Sequence, residues 1–147
     1  MTRIDFYILA EEASANREQF ACRLAEKVYQ LGQRIYIHTS DAQQAALLDK
    51  LLWTFKQNSF IPHAIDGQSP DPGTAVLIGH SAELNNHDHI QSYEVLINLS
   101  QEIPLFFSSF KRVAEIVNNS EENKNSGRER YRFYRDRGYS LENHHIS

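Results

Sequence analysis

The sequence of 147 residues contains a single cysteine, Cys22, so no disulfide can form within the chain. Its six glycines form neither a Gly-x-Gly-x-x-Gly motif nor a Gly-x-x-x-x-Gly-Lys-Ser/Thr loop. Eighteen consecutive apolar residues occur nowhere, and no secretory leader is recognisable. These absences argue against a disulfide-stabilised secreted domain, a phosphate-loop enzyme and a membrane protein. We therefore expect a reducing, cytoplasmic setting, with Cys22 as a buried apolar side chain.

Hydrophobic residues make up 41% of the chain and aromatic residues 11%, which is enough for one domain with its own core. The apolar patterns predict an alternation of strands and helices, which is typical of a largely parallel sheet. Strands are predicted at 4–9, 34–38, 75–78 and 93–99. Helices are predicted at 16–31, after the capping cluster 39–41, from Pro104 to Val117, and at 127–137. Turns or polar loops are expected at 70–73, 79–91 and 118–125, and a loose tail at 140–147.

Charge is distributed unevenly along the chain. The net charge is -4, yet residues 124–137 carry six basic against two acidic side chains, a net +4. With Glu142 counted separately, residues 1–123 must carry -7. Most of the molecule would therefore repel a phosphate backbone, and only the C-terminal segment would attract an anion over a distance. This asymmetry favours a local acidic partner over an extended contact with duplex DNA.

The C-terminal segment predicts a helix with its outward cations on one face. At about 100° per residue, one stripe collects four basic side chains around a tyrosine. Its members are Lys124, Arg128, Tyr131, Arg132 and Arg135. The opposite side, expected to cover the sheet, holds Arg130, Phe133, Tyr134 and Arg137. Guanidinium groups bind carboxylates through paired hydrogen bonds, so the stripe suits an acidic ligand with an aromatic tip. A solvated helix face with internal Glu–Arg pairs stays open as the simpler interpretation.

A second informative segment follows the second helix and is unusually aromatic for a connection. Trp53, Phe55, Phe60, Ile61 and Pro62 occur within ten residues. Some of them are expected to form an exposed apolar patch of the kind that marks protein interfaces. Ordinary packing beneath a loop is the alternative, and it applies more to Phe55 and Ile61 than to the other aromatic residues.

Candidate chemical sites are weak. Two carboxylates, Glu11 and Glu12, follow the first strand where a nucleotide-binding fold would place a glycine-rich turn, and they would oppose a phosphate. His80, His87 and His89 share one polar segment with Asp88, but their spacing fits no standard zinc motif. No Gly-x-Ser-x-Gly turn marks a nucleophile, although a Ser/His/Asp triad stays open. His144 and His145, in the expected tail, receive no role. We therefore predict no metal, no cofactor and no enzymatic activity.

Three segments together resemble the chi subunit family of bacterial DNA polymerase III. They are Asp5-Phe-Tyr-Ile-Leu9, Leu52-Trp53 with Ser59-Phe-Ile-Pro-His63, and Arg128-Glu-Arg-Tyr-Arg-Phe-Tyr-Arg135 with Gly138-Tyr139. The resemblance covers essentially the whole chain in the same order. Two departures concern the start of the last helix, at Ser126 and Gly127, and the segment 81–89, which shows no family pattern.

The resemblance implies a single three-layer α/β/α domain, Rossmann-like but without a nucleotide-binding loop, that is not an enzyme. A chi subunit pairs with the psi subunit of the clamp loader and grips the acidic, phenylalanine-ending tail of single-stranded DNA-binding protein. By position, Lys124, Arg128, Tyr131, Arg132 and Arg135 would form the tail site. The surface for psi, or for a helicase-like repair protein, would contain Trp53, Phe60, Pro62 and His63.

Two other functions stay open beside this adaptor role. A module that binds single-stranded nucleic acid directly would also use arginine and tyrosine, for phosphates and stacked bases. The charge of -7 on residues 1–123 argues against it. A nucleotide-dependent α/β enzyme is the second alternative, and the missing phosphate loop argues against that.

Overall fold

A computed structural model describes residues 2–13, 15–57, 60–66, 74–80, 90 and 92–147. The predicted turn at 70–73 and most of the predicted polar loop at 79–91 lie outside the described residues. Within the described part of the chain, no helix is long and apolar enough to cross a bilayer.

Seven strands form one sheet, and every pairing between neighbouring strands is parallel. The strands are β1 (Arg3–Leu9), β2 (Ile35–His38), β3 (His63–Ile65), β4 (Val76–Gly79), β5 (Val95–Asn98), β6 (Arg112–Val117) and β7 (Ser140–Ile146). The helices are α1 (Arg17–Gln30), α2 (Ala42–Thr54) and α3 (Glu121–Asp136), with a short 3₁₀ helix at Phe107–Ser109. The strand order is β3-β4-β2-β5-β6-β1-β7, so β3 and β7 are the two edges.

The sheet lies between two helical layers, which confirms the predicted three-layer α/β/α fold. One apolar cluster joins α1 and α2 to one face of the sheet through side chains such as Leu24 and Leu48. A second cluster joins α3 and the 3₁₀ segment to the other face, with Phe6, Phe110 and Tyr134 among its buried members. The central strands β2, β4 and β5 are buried along their whole length, as a parallel sheet covered on both faces requires.

Each of the three α-helices begins at a side-chain cap. Asn16 forms a reciprocal capping box with Gln19 at α1, and Asp41 accepts a hydrogen bond from the Gln44 backbone N–H at α2. Ser120 caps α3, so this helix begins at Glu121, inside the predicted break at 118–125. Gly138, with φ of 81°, then allows the left-handed turn that ends α3 and leads into β7.

The prediction of a helix from Pro104 to Val117 is wrong. Only a 3₁₀ turn forms there, and the second half is strand β6, which pairs with β5 and β1. Phe106, Phe107 and Phe110 do face the core, which explains why their spacing imitates a helical stripe. From Val113 to Val117 every residue is buried, because β6 lies inside a sheet covered on both faces. A continuous short apolar run does not distinguish such a strand from a helix.

The expectation of a loose tail at 140–147 is also wrong. Residues 140–146 form β7, which pairs with β1 along all seven residues of both strands. The sequence Ser-Leu-Glu-Asn-His-His-Ile looks polar because an edge strand is largely exposed on both faces. His144 fixes it further, since its Nε2 lies 3.2 Å from the buried Asp5 carboxylate on β1. The three-residue strand β3, at the opposite edge, was likewise not predicted.

Helix α3 is held on the sheet by a buried ion pair. Glu115 on β6 is fully buried, and the Arg130 Nε donates to its carboxylate at 2.8 Å. The Tyr134 hydroxyl and the Asn98 amide donate to the other carboxylate oxygen at 2.7 and 3.0 Å. Burial and the neighbouring Glu115 charge raise the pKa of Tyr134, so its hydroxyl keeps the proton that it donates. The network joins β5, β6 and α3 through buried polar groups, and in a buried site the loss of a partner is costly.

We expect Glu115→Ala to lower the free energy of unfolding by about 3–5 kcal/mol, because it leaves the Arg130 guanidinium buried without its counter-charge. Urea unfolding followed by circular dichroism measures this loss. The control Glu129→Ala removes an exposed carboxylate from α3 and is expected to change stability by less than about 0.5 kcal/mol. Equal effects of the two variants would contradict a dominant role for the buried pair.

Asp5 is the second buried carboxylate, and it connects three strands. Arg112 on β6 donates to it at 2.7 Å, Arg3 at 3.1 Å, and His144 on β7 lies 3.2 Å away. Burial acts to raise the pKa of Asp5, but hydrogen bonds from His144 and Arg112, with the two guanidinium charges, outweigh it. The pKa is therefore lowered from its ordinary value of 3.8.

A lowered pKa means that the contribution of Asp5 to stability is complete above pH 3.8 and is lost as the pH falls through the folded-state value. We expect wild-type stability to decrease between about pH 5 and pH 2, and Asp5→Asn to be less stable at neutral pH with a flatter acid dependence. Urea unfolding at a series of pH values measures both. Parallel acid profiles for the two proteins would show that Asp5 does not contribute.

Candidate functional site

A largely apolar pocket opens beside α3, on the flank that faces the β1–β7 edge of the sheet. Its volume is about 300 Å³. Strands β1, β6 and β7 form its floor and one wall, and α3 forms the other wall. The lining residues are Phe6, Ile8, Val117, Lys124, Gly127, Arg128, Tyr131 and Asn143. The pocket therefore combines an apolar floor with two cations at its rim.

Gly127 allows α3 to lie close to the floor of this pocket. A Cβ atom added there would lie 3.0 Å from Val117 Cγ2, which is tighter than an ordinary contact. The Tyr131 ring packs edge to face on Phe6, with the ring centroids 5.2 Å apart. Ser126 and Gly127 are poor residues for the start of a helix, but α3 begins earlier, at Glu121, so both lie inside it. Ser126 donates to the Gln101 carbonyl oxygen at 3.0 Å and so attaches α3 to the segment after β5.

The structure brings together three of the five predicted tail-site residues. Lys124, Arg128 and Tyr131 line the pocket. Arg132 and Arg135 are exposed on the same helix but do not line it.

Two cations of the basic stripe have an acidic neighbour on the same helix. Lys124 lies 3.8 Å from Glu121, and Arg135 lies 3.2 Å from Asp136. Both acidic partners are exposed, so these contacts are weak and an external carboxylate can replace them. Arg128 contacts the neutral Asn125 side chain at 3.2 Å.

Sequence patterns did not reveal the strand residues of the pocket. Phe6, Ile8 and Val117 read as ordinary core positions, and Asn143 was assigned to a loose tail. Their proximity depends on the parallel pairing of β1 with both β6 and β7. Asn143 could have been assigned to the pocket only if β7 had been predicted as a strand paired with β1.

The second predicted surface lies at the other edge of the sheet, where α2 ends and β3 begins. Trp53 and Phe60 are 56% and 64% exposed, and their ring centroids are 5.4 Å apart. The His63 ring packs against Trp53 at 4.7 Å. Pro62 is half-buried beside them, and Ile61 is buried in the core. Of the aromatic segment, Trp53 and Phe60 therefore form an exposed apolar pair on a rigid base.

His63 supplies the rigidity of that base. Its Nδ1 lies 2.7 Å from the Ile61 carbonyl oxygen, and its Nε2 lies 3.0 Å from the Asp49 carbonyl oxygen. These contacts connect the end of α2 to the start of β3. The His63 side chain is only 1% exposed, so it supports Trp53 from beneath and offers little side-chain surface of its own.

The two surfaces are well separated. The pocket adjoins β7 and the aromatic pair adjoins β3, which are opposite edges of the seven-stranded sheet. Six strand spacings of about 4.8 Å give a separation of roughly 29 Å. The surfaces also lie on helices of opposite layers, so each can be occupied while the other is in use.

Three other candidate sites have weaker support for a function. A crevice of about 620 Å³ lies where β1 and β6 end, between Asn16 and Ser120, but Glu11 lines it, as expected of a site that disfavours phosphate. Asp5, Glu142 and His144 are close enough to hold a metal ion, yet Asp5 already binds two arginines. His80 is exposed. His87 and His89 lie outside the described residues, so the possible zinc cluster stays a prediction.

Comparisons with known proteins agree with this architecture. The family model described as "DNA polymerase III chi subunit, HolC" matches residues 1–142. The chain belongs to the chi subunit family of DNA polymerase III. Membership places it among the accessory subunits of that polymerase, in DNA replication.

Chi subunits from three bacteria match almost end to end. The chain is 38% identical over 146 residues to the chi subunit of Pseudomonas aeruginosa, covering 99% of this chain and 98% of that protein. It is 33% identical over 141 residues to the chi subunit of Haemophilus influenzae, covering 96% and 95%. It is 30% identical over 145 residues to that of Escherichia coli, covering 96% of each chain.

A solved structure shares the fold of this chi-family chain. The crystal structure of T4 UvsW superimposes with a TM-score of 0.71 at 9% sequence identity, over 99% of this chain and 41% of the UvsW chain. The low identity limits this likeness to the fold.

Proposed function

We propose that this chi-family chain is a non-catalytic adaptor that connects single-stranded DNA-binding protein to the clamp-loader complex. Its pocket beside α3 binds the acidic C-terminal tail of single-stranded DNA-binding protein, and its Trp53 surface binds the psi subunit. The observation that carries the proposal is an apolar pocket with cations at its rim, in a chain whose residues 1–123 carry a net charge of -7.

The pocket suits the end of a peptide better than an extended ligand. A volume of about 300 Å³ is at the small end for binding sites and holds roughly one large side chain. Phe6, Ile8 and Val117 offer apolar contacts to a terminal aromatic ring. Lys124 and Arg128 at the rim then lie where the terminal carboxylate and the preceding acidic residues emerge.

Arg132 and Arg135 extend the positive charge of the rim along α3. They are exposed and lie beyond the pocket, so we assign them to the more distant acidic residues of the tail. Contacts of this kind are solvent-screened, and they contribute more to the rate of association than to the final affinity. We therefore expect the five positions to divide into inner contacts and outer steering charges.

The Trp53 surface is proposed as the site for psi, or for a helicase-like repair protein. Two adjacent exposed aromatic side chains on a fixed base have the character of an interface hot spot. Pro62 and His63 shape this surface from below. Because it is at the edge opposite the pocket, psi and the tail are expected to bind simultaneously.

The adaptor role implies neither enzymatic activity nor a cofactor, and we place the protein in the bacterial cytoplasm, at the replication fork. Direct binding of single-stranded DNA is the competing function for the basic helix face. It would use the same arginines but would require no apolar pocket, so it is treated as an outcome of the test below.

We expect Arg128→Ala to weaken tail binding by about 1.5–3 kcal/mol, the contribution of a hydrogen bond to a charged group. Fluorescence anisotropy of a labelled acidic peptide ending in phenylalanine measures the affinity, with labelled single-stranded DNA as a second ligand. Wild-type binding should weaken as salt increases.

Arg23→Ala is the matched control, since it removes an exposed arginine from α1 on the opposite layer. It should leave the affinity unchanged. Binding of single-stranded DNA in preference to the peptide would favour the competing function, and no peptide binding by the wild type at low salt would refute the tail site.

We expect Trp53→Ala to lower affinity for the psi subunit by about 2 kcal/mol or more, as loss of a hot-spot aromatic side chain does. Isothermal titration calorimetry with purified psi measures this loss. The same variant should bind the tail peptide as the wild type does, because the two surfaces are at opposite edges. Loss of both activities together would indicate misfolding and can be checked by thermal unfolding.

A further inference from the structure

Strand β7 continues the floor of the α3 pocket beyond its described lining, and this continuation carries a histidine. In the parallel register, Ile8 of β1 lies beside Val117 of β6 on one side and beside His145 of β7 on the other. Residues paired in register point to the same face of a parallel sheet. Val117, Ile8 and His145 therefore form one row on the α3 face, and the first two members already line the pocket.

The adjacent row supports the same placement. Phe6 of β1 is in register with Asn143 of β7, and both residues line the pocket. Asn143 and His145 alternate along β7 and so share its α3 face, whereas Glu142 and His144 point to the other face. The contact of His144 with Asp5 shows that opposite direction. His145 is exposed, and within the described residues β7 pairs only with β1, so the outer side of this row is open.

We propose that β7 is the second wall of the tail-binding pocket and that His145 binds a carboxylate of the acidic ligand from the side opposite α3. The proposal rests on the tail-binding function proposed above. In this arrangement the acidic chain leaves the pocket between Lys124 and Arg128 on the helix and His145 on the strand. A protonated imidazole there adds a third cation to the site and makes its affinity depend on pH.

Charge around this row favours that role. The charged groups on the same side are Lys124 and Arg128 on α3, Glu121 beside Lys124, and Glu11 in the turn after β1, which accepts from Asn119. Carboxylates, lysines and arginines ordinarily keep their charge between about pH 6 and pH 8, whereas an exposed imidazole does not. A change in tail affinity over that interval would therefore report a histidine.

The neighbouring histidines provide a matched pair of variants on one strand. His145→Gln removes the imidazole from the pocket face, and His144→Gln removes one from the other face while keeping an amide that can donate to Asp5. His145→Arg holds the charge permanently positive. Each full-length variant is titrated against a labelled peptide of acidic residues ending in phenylalanine, at about pH 6 and about pH 8, with anisotropy as the readout.

Wild type and His144→Gln are expected to bind about threefold more tightly at the lower pH, which is the scale of one exposed charge pair. His145→Gln should lose this difference, and His145→Arg should bind tightly at both pH values. If wild type binds the peptide but His145→Gln keeps the same pH dependence, the wall assignment is overturned and the tail site stands. If wild type does not bind the peptide at either pH, both proposals fail.

Discussion

The buried pairing of Glu115 with Arg130 is the interaction on which the geometry of the α3 pocket depends. It fixes the rotation of α3 about its own axis. The face that carries Arg130 packs on β6, and the face that carries Lys124 and Arg128 is directed toward the β1–β7 edge. Both groups are almost fully buried, and the Tyr134 hydroxyl and the Asn98 amide complete the carboxylate shell. A rotation of α3 would leave a buried charge without a partner, so the polar network specifies which helix face remains outside.

The same helix thus performs two tasks with residues of the same chemical type. Arg130, an interior arginine, donates to Glu115 and to the Gln101 carbonyl oxygen and serves the fold, whereas Arg128, two positions earlier, is exposed. Gly127 has no side chain, so α3 can approach Val117 closely, and this approach gives the pocket its depth. The stability of the fold and the shape of the pocket are therefore coupled through the placement of one helix.

A seven-stranded sheet with the two proposed partner surfaces at opposite edges suits the proposed adaptor role. The rigid sheet holds the α3 pocket and the Trp53 pair apart, and neither site needs a large movement to form. The chain shares this architecture with T4 UvsW at 9% identity, and a parallel α/β fold does not by itself specify activity. What distinguishes the chi-family chain is the chemistry placed on the two edges.

The sequence by itself determined the α/β class, the boundaries of α1, the basic stripe and the exposed character of Trp53, because each follows from local periodicity, capping or composition. It misjudged β6 and β7 because a short buried strand imitates a helical stripe and an exposed edge strand imitates a polar tail. Only the tertiary structure decided that Phe6, Val117 and Asn143 share a pocket with Lys124 and Arg128, and that Glu115 pairs with Arg130. Those contacts join residues distant in sequence, so they depend on which strands become neighbours in the sheet, and local periodicity does not specify that order.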